Sequence, residues 1–152
     1  MEEILKQPKF QEMIAHFAEQ QGAPHEEIEK EAKEYLEELF TKHAAVADMA
    51  AVQTAQYILS RGYEKRIDVN PPEIKALARL MRKHPVAFVL THKTYLDTLV
   101  LTVVLARYGL PLPYTFAGIN MAFLGVGQFG RQVGQIFIRR SFKDNHVYKG
   151  VL

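Results

Sequence analysis

The sequence predicts an α/β fold: a helical segment at the N-terminus, followed by the first half of a mainly parallel sheet covered by helices. Two patterns point to it. Up to about residue 82, apolar residues recur mostly at helical spacing, i, i+3 and i+4. Beyond that, short apolar runs bounded by glycine and proline alternate with helical stretches, and near-continuous apolar strands suit a parallel sheet covered on both faces. The division falls near residue 62, with a helical region over 1–62 and an incomplete α/β domain over 63–152.

Pro8 opens the first helix at a first-turn position, where a missing N–H costs nothing. Phe10, Met13, Ile14 and Phe17 form its stripe and Gly22 ends it. A second helix opens at Pro24, with Glu26, Glu27 and Glu29 at the positive end of its dipole. Its apolar side runs through Ile28, Ala32, Tyr35, Leu36, Leu39, Phe40, Val46 and Met49 towards Gly62, long enough that a break is expected near Lys42-His43. A short strand is expected over 63–69. Asn70-Pro71-Pro72 then starts a helix through Arg82 with Ile74, Leu77, Leu80 and Met81 inside. The series that follows is strand 85–91, helix 95–108 ended by Gly109, strand 113–117, a helix around 120–132 and strand 135–139. Asp144 to Tyr148 reads as the start of a last helix.

The chain has 152 residues, 48% of them hydrophobic, enough to bury a core, and no cysteine, which excludes disulfides, thiolate metal sites and a cysteine nucleophile. The Met1-Glu2-Glu3 start is not expected to be a secretory signal. Residues 1–83 carry 12 Lys and Arg against 15 Asp and Glu, whereas residues 84–152 carry 7 against 2. The basic second half suits an anionic ligand. Without a basic stripe interleaved with aromatics, no nucleic-acid role is expected. From Tyr108 to Gly130 no residue is charged, yet prolines and glycines break the run too often for a membrane-spanning helix. It is expected to be core together with an apolar surface, a groove for an acyl chain or a patch resting on a bilayer.

The chemistry is expected where the run Pro85 to Leu90 ends. His92 and Asp97 follow it, and a continuous helix would set them about 140° apart around its axis, so they meet only across a turn. Thr94 supplies one as an N-cap. An imidazole oriented by a carboxylate is a general base near neutral pH. The same residues, Thr94-Tyr95-Leu96-Asp97, equally fit a capping box, and spacing alone leaves both readings open. Serine-hydrolase chemistry is disfavoured because Ser60 and Ser141 are the only serines and neither sits in a Gly-x-Ser-x-Gly elbow. No metal is expected, since no spacing such as His-Glu-x-x-His occurs. In Gly134-Gln135-Ile136-Phe137-Ile138-Arg139-Arg140, Ile136 and Ile138 share one face of a strand and Phe137 and Arg139 the other, so the two arginines should point differently, and one could clamp a phosphate. His16, His25 and His43 show no partner in the sequence and are assigned no chemistry.

Together these stretches resemble the glycerol-3-phosphate acyltransferase family. Thr91 to Asp97 is similar to its first block, His-x-x-x-x-Asp, and Gly134 to Arg140 to its second, commonly Gly-Ala-Phe-Phe-Ile-Arg-Arg. Ala117-Gly118-Ile119-Asn120 between them also resembles the family, and the likeness runs from about residue 84 to 150. The resemblance implies that residues 63–152 are part of an acyltransferase domain. It implies that His92, held by Asp97, takes the proton from the 1-hydroxyl of glycerol 3-phosphate, whose oxygen attacks an acyl thioester on CoA or acyl carrier protein. Arg140 matches the arginine associated with the acceptor's phosphate, with Phe137 and Ile138 as its neighbours and Arg139 and Lys93 as further cations. No cofactor is implied beyond the acyl donor, and the expected location is peripheral, on the cytoplasmic face of a membrane.

The family's third block contains Glu-Gly and its fourth is built around a proline, both downstream of the second. No Glu-Gly pair occurs in this sequence, so the chain is expected to be an N-terminal portion with little or no activity alone. Dihydroxyacetone phosphate or a lysophospholipid are alternative acceptors, and a non-catalytic lipid- or membrane-binding module is the alternative from another class.

Overall fold

The computed structural model describes residues 2–62, 67–91, 93–94, 96–123, 125–142 and 144–152. Eight helices and two strands follow in chain order among them: α1 (Glu2–Leu5), α2 (Pro8–Gln21), α3 (His25–Leu39), α4 (Ala45–Gly62), α5 (Pro71–Met81), α6 (Leu96–Arg107), β1 (Thr115–Gly118), α7 (Val126–Gln132), β2 (Gln135–Ile138) and α8 (His146–Val151). A 3₁₀ turn, Ile119–Met121, follows β1 directly. The chain divides into two compact units, one of residues 1–42 and 115–152, the other of residues 43–114.

In the first unit the stripes of α2 and α3 close on α8. Ile14, Ala18, Ile28, Ala32, Tyr35, Val147 and Tyr148 form the buried cluster. Gly22 ends α2 in the left-handed conformation, φ 62°, as its position after the periodic run predicted. Gly150 on α8 lies so close to α2 that a Cβ there would stand 2.6 Å from the Met13 sulfur and 2.7 Å from the Phe17 ring. β1 and β2 pair in parallel, Thr115 with Gln135 through Gly118 with Ile138, with α7 as the intervening helix. Thr115, Ala117, Gln135 and Phe137 therefore share one face, and Phe116, Gly118, Ile136 and Ile138 the other. The first face is the covered one, with Phe137 0% exposed, whereas Phe116 on the second is 70% exposed.

The expected break in the second helix occurs between α3 and α4, and Arg131 takes up the backbone groups on either side of it. Its guanidinium donates to the carbonyls of Glu38 and Phe40. Its own carbonyl accepts from the Thr41 hydroxyl at 2.5 Å and the Lys42 N–H at 3.1 Å. The backbone groups that would continue the helix are thus bonded to Arg131 instead.

In the second unit α4 packs on α6 through Ala55, Leu59 and Val103, with Ile67, Leu96, Leu99 and Val100 around them. α5 forms where predicted and buries none of its residues fully. The expected strand over 85–91 does not form: the segment is irregular, with Val89 95% exposed. An apolar run becomes a strand only when a neighbour pairs with its backbone, and among the described residues no strand lies beside this one. Residues 67–69 are likewise not a strand, and 63–66 lie outside the described residues. The helix expected around 120–132 is shorter: the 3₁₀ turn takes 119–121, Gly125 adopts φ 78° and α7 starts after it. Gly127 then packs against Ala122, with only 2.9 Å to the Ala122 Cβ from a Cβ placed there.

Candidate functional site

The first block belongs to the second unit and surrounds the start of α6. His92 and Tyr95 lie outside the described residues. The Asp97 carboxylate accepts the backbone N–H groups of Lys93 and Thr94, each at 3.0 Å, and the Thr94 hydroxyl accepts the Leu96 N–H at 3.1 Å. This is a reciprocal capping box, in which an acid in the first helical turn reaches back over the N-cap residue. The capping reading of this stretch is therefore correct, and it fixes the position of Asp97 Oδ2. Lys93 is exposed.

The second block sorts its side chains by strand parity. Phe137 is fully buried, with the Arg131 guanidinium 5.4 Å from its ring centroid. Gly130 admits that ring: a Cβ on it would stand 2.8 Å from Phe137. Ile138, on the opposite face, is half-buried and ends the strand. Arg139 continues the Phe137 side, where its Nε donates to Glu38 Oε1 at 2.8 Å and its Nη2 to Oε2 at 2.5 Å. Its guanidinium carbon lies 4.9 Å from the Tyr35 ring centroid and 5.4 Å from that of Tyr148. The hydrogen bonds that it donates to the Glu38 carboxylate hold its pKa above the ordinary arginine range.

Arg140 continues the Ile138 side. It is exposed, and among the described residues no carboxylate pairs with it. Its Nε lies 3.5 Å from the point where a Gly118 Cβ would stand. Both strands end here, and the carboxyl edge of a parallel sheet is where open α/β folds take their ligands.

The structure also shows partners that the sequence did not reveal. Glu38 carried no signal beyond being one acid of many on an amphipathic helix. Asn120, whose side chain folds over Gly118, was detectable as a polar residue in the uncharged run from Tyr108 to Gly130. His43 has a carboxylate after all: its Nδ1 lies 2.8 Å from Asp48 Oδ1, and its ring meets Tyr114 edge-on at 4.7 Å. The pair ties the loop before α4 to that helix's first turn. His43 Nε2 is buried with no partner among the described residues.

Among the described residues no group of three or more His, Asp or Glu could hold a metal ion, and no helix is long and apolar enough to cross a membrane. The protein-family model described as Acyltransferase matches residues 71–152, from the start of α5 to the end of the chain, and includes both blocks. Dihydroxyacetone phosphate acyltransferase of Bos taurus is 31% identical over 154 residues, which take in 97% of this chain and 22% of that protein. The putative acyltransferase plsB1 of Mycobacterium tuberculosis (strain ATCC 25618 / H37Rv) is 34% identical over 146 residues, 94% of this chain and 22% of its own length. The chain thus spans about a fifth of the length of these relatives. With both blocks inside the matched span, and similarity to these two proteins along nearly all of its length, the chain belongs to the acyltransferase family.

Proposed function

We propose that this chain supplies the base and part of the acceptor site of an acyltransferase acting on a glycerolipid precursor, with the 1-hydroxyl of glycerol 3-phosphate as acceptor. The observation that carries the reading is the sorting of the two arginines. Arg139 is occupied by Glu38, while Arg140, at the carboxyl edge of the parallel pair, has no carboxylate partner among the described residues and so suits a phosphate.

In this reading His92 accepts the proton of the acceptor hydroxyl, and Asp97 favours the imidazolium that results. The oxygen forms a bond to the thioester carbonyl of acyl-CoA or acyl carrier protein. Collapse of the tetrahedral intermediate breaks the carbon–sulfur bond, and the thiolate takes the proton back from His92. A thiol pKa of about 8.5 makes that leaving group tolerable without a strong acid. Membrane association, peripheral and on the cytoplasmic face, belongs to the same proposal and is supported by the exposed Phe116, Phe123, Val126 and Phe129.

A second acceptor, dihydroxyacetone phosphate, is favoured by the name of the Bos taurus relative. The test is transfer of a labelled acyl group from acyl-CoA to each acceptor by the full-length natural protein. Glycerol 3-phosphate is expected to be acylated faster, and His92→Ala to lower turnover by about 10²–10⁴-fold. Wild-type turnover in the His92→Ala protein would overturn the mechanism, and a clear preference for the ketone would replace the acceptor.

A further inference from the structure

The backbone of Gly118 has φ −69° and ψ 140°, values that any residue adopts. Glycine is therefore not required there by conformation. The bare Cα instead leaves the space that the Asn120 side chain fills: a Cβ on residue 118 would stand 2.5 Å from Asn120 Oδ1, which would have to move, and 3.5 Å from Arg140 Nε, an ordinary contact. The chain turns tightly through Ile119–Met121 immediately after β1 and lays the Asn120 side chain back over the bare Cα. Asn120 is exposed, and among the described residues its carboxamide makes no hydrogen bond that would explain why it is held there. What it does have is the neighbouring guanidinium of Arg140, itself without a carboxylate partner among the described residues.

We propose that Asn120 is a second acceptor-binding residue, which together with Arg140 forms a cradle for a small phosphate monoester over the bare Cα of Gly118. The proposal rests on the acyl-transfer reading above and adds a residue to it. The chemistry is complementary. A guanidinium pairs with phosphate oxygens through two parallel N–H donors, while a carboxamide offers one acceptor and two donor hydrogens. A phosphate ester with an oxygen function on the adjacent carbon meets both requirements, whether that oxygen is a hydroxyl, which donates to Oδ1, or a ketone, which accepts from Nδ2. Both groups leave the sheet at its carboxyl edge, and neither is bound into the protein core.

The experiment uses the full-length natural protein with glycerol 3-phosphate as the varied substrate and acyl-CoA saturating, then the reverse. Asn120→Ala is expected to raise the acceptor KM about tenfold, the usual cost of one lost polar contact to a charged or bound group. The acyl-CoA KM and the thermal midpoint should not move. Gly118→Ala, which the ordinary backbone angles permit, is expected to raise the acceptor KM similarly by displacing Asn120. Combined with Asn120→Ala it should add less than the product of the two effects, because both act on one contact.

Arg140→Ala is the reference. If it raises the acceptor KM while Asn120→Ala leaves it within twofold, the cradle is wrong and the acyl-transfer reading stands. An Asn120→Ala effect confined to the acyl-CoA KM or to kcat also overturns the cradle. If the wild-type protein acylates neither glycerol 3-phosphate nor dihydroxyacetone phosphate, the reading of function falls and takes the cradle with it.

Discussion

Arg139 and Arg140 are adjacent in the chain and face opposite ways because a strand alternates its side chains. Arg139 makes structural contacts. Its fork on Glu38 and its stacking between Tyr35 and Tyr148 join β2 to α3 and α8. Its side chain is 43% exposed, so solvent screening keeps the pair's contribution modest. Arg139→Ala is expected to lower unfolding stability by about 1–2 kcal/mol, summing a bidentate pair and two cation–π contacts. Lysine, which cannot form the fork, should recover less than half of that in urea denaturation. Beside it, the Tyr35 hydroxyl donates to Glu31 at 2.6 Å and accepts from Asn145 at 2.7 Å. Burial, and then the Glu31 carboxylate, push this phenol above the ordinary tyrosine range. Because the folded state holds the proton more tightly than the unfolded chain, the corresponding stability is complete below about pH 10. It is lost as pH rises through the folded-state value, and Tyr35→Phe should flatten that alkaline decline in a series of denaturation curves. The opposite facing of the two arginines was legible from Ile136 and Ile138 alone. That Arg139 would be the occupied one was not, because Glu38 lies 101 residues away and nothing local marks it.

At the scale of elements, the proposed mechanism gives the start of α6 two jobs with one carboxylate. Asp97 closes the capping box over Lys93 and Thr94, and in the proposed mechanism it also orients His92. The two jobs separate by mutation. Thr94→Ala removes the hydroxyl that accepts from Leu96 and should lower stability by about 1 kcal/mol while turnover stays within a few-fold. Asp97→Asn keeps an oxygen for the backbone N–H groups and loses the charge. It should leave thermal stability close to wild type and lower turnover by about a hundredfold or more. The helices were legible because periodicity, the glycine after α2 and the prolines opening α2 and α5 are local signals. The strand expected over 85–91 does not form for a complementary reason. Its apolar composition describes what the segment can pair with, and pairing depends on a neighbour that the segment's own sequence does not contain. The break after α3 was legible from length, yet the residue that binds its freed carbonyls, Arg131, lies 93 and 91 residues along the chain from them.

At the scale of the molecule, large apolar side chains remain on the surface of both units: Val89 and Leu90 in one, Phe116, Phe123 and Phe129 in the other. Residues 1–152 produced alone are expected to enhance ANS fluorescence and to self-associate in light scattering at micromolar concentration, and Val89→Lys to reduce both. The first unit is assembled from the two ends of the chain, with residues 43–114 forming the other unit between them. Its joining contacts span long separations, 101 residues for Glu38 with Arg139 and 114 for Glu31 with Asn145. On a ribosome adding about 5–20 residues per second, α2 and α3 emerge several seconds or more before β2 and α8 exist to cover them. During that interval Ile14, Ile28 and Ala32 lack the cover that Val147 and Tyr148 later give them, and the nascent chain carries exposed apolar surface of the kind that promotes aggregation.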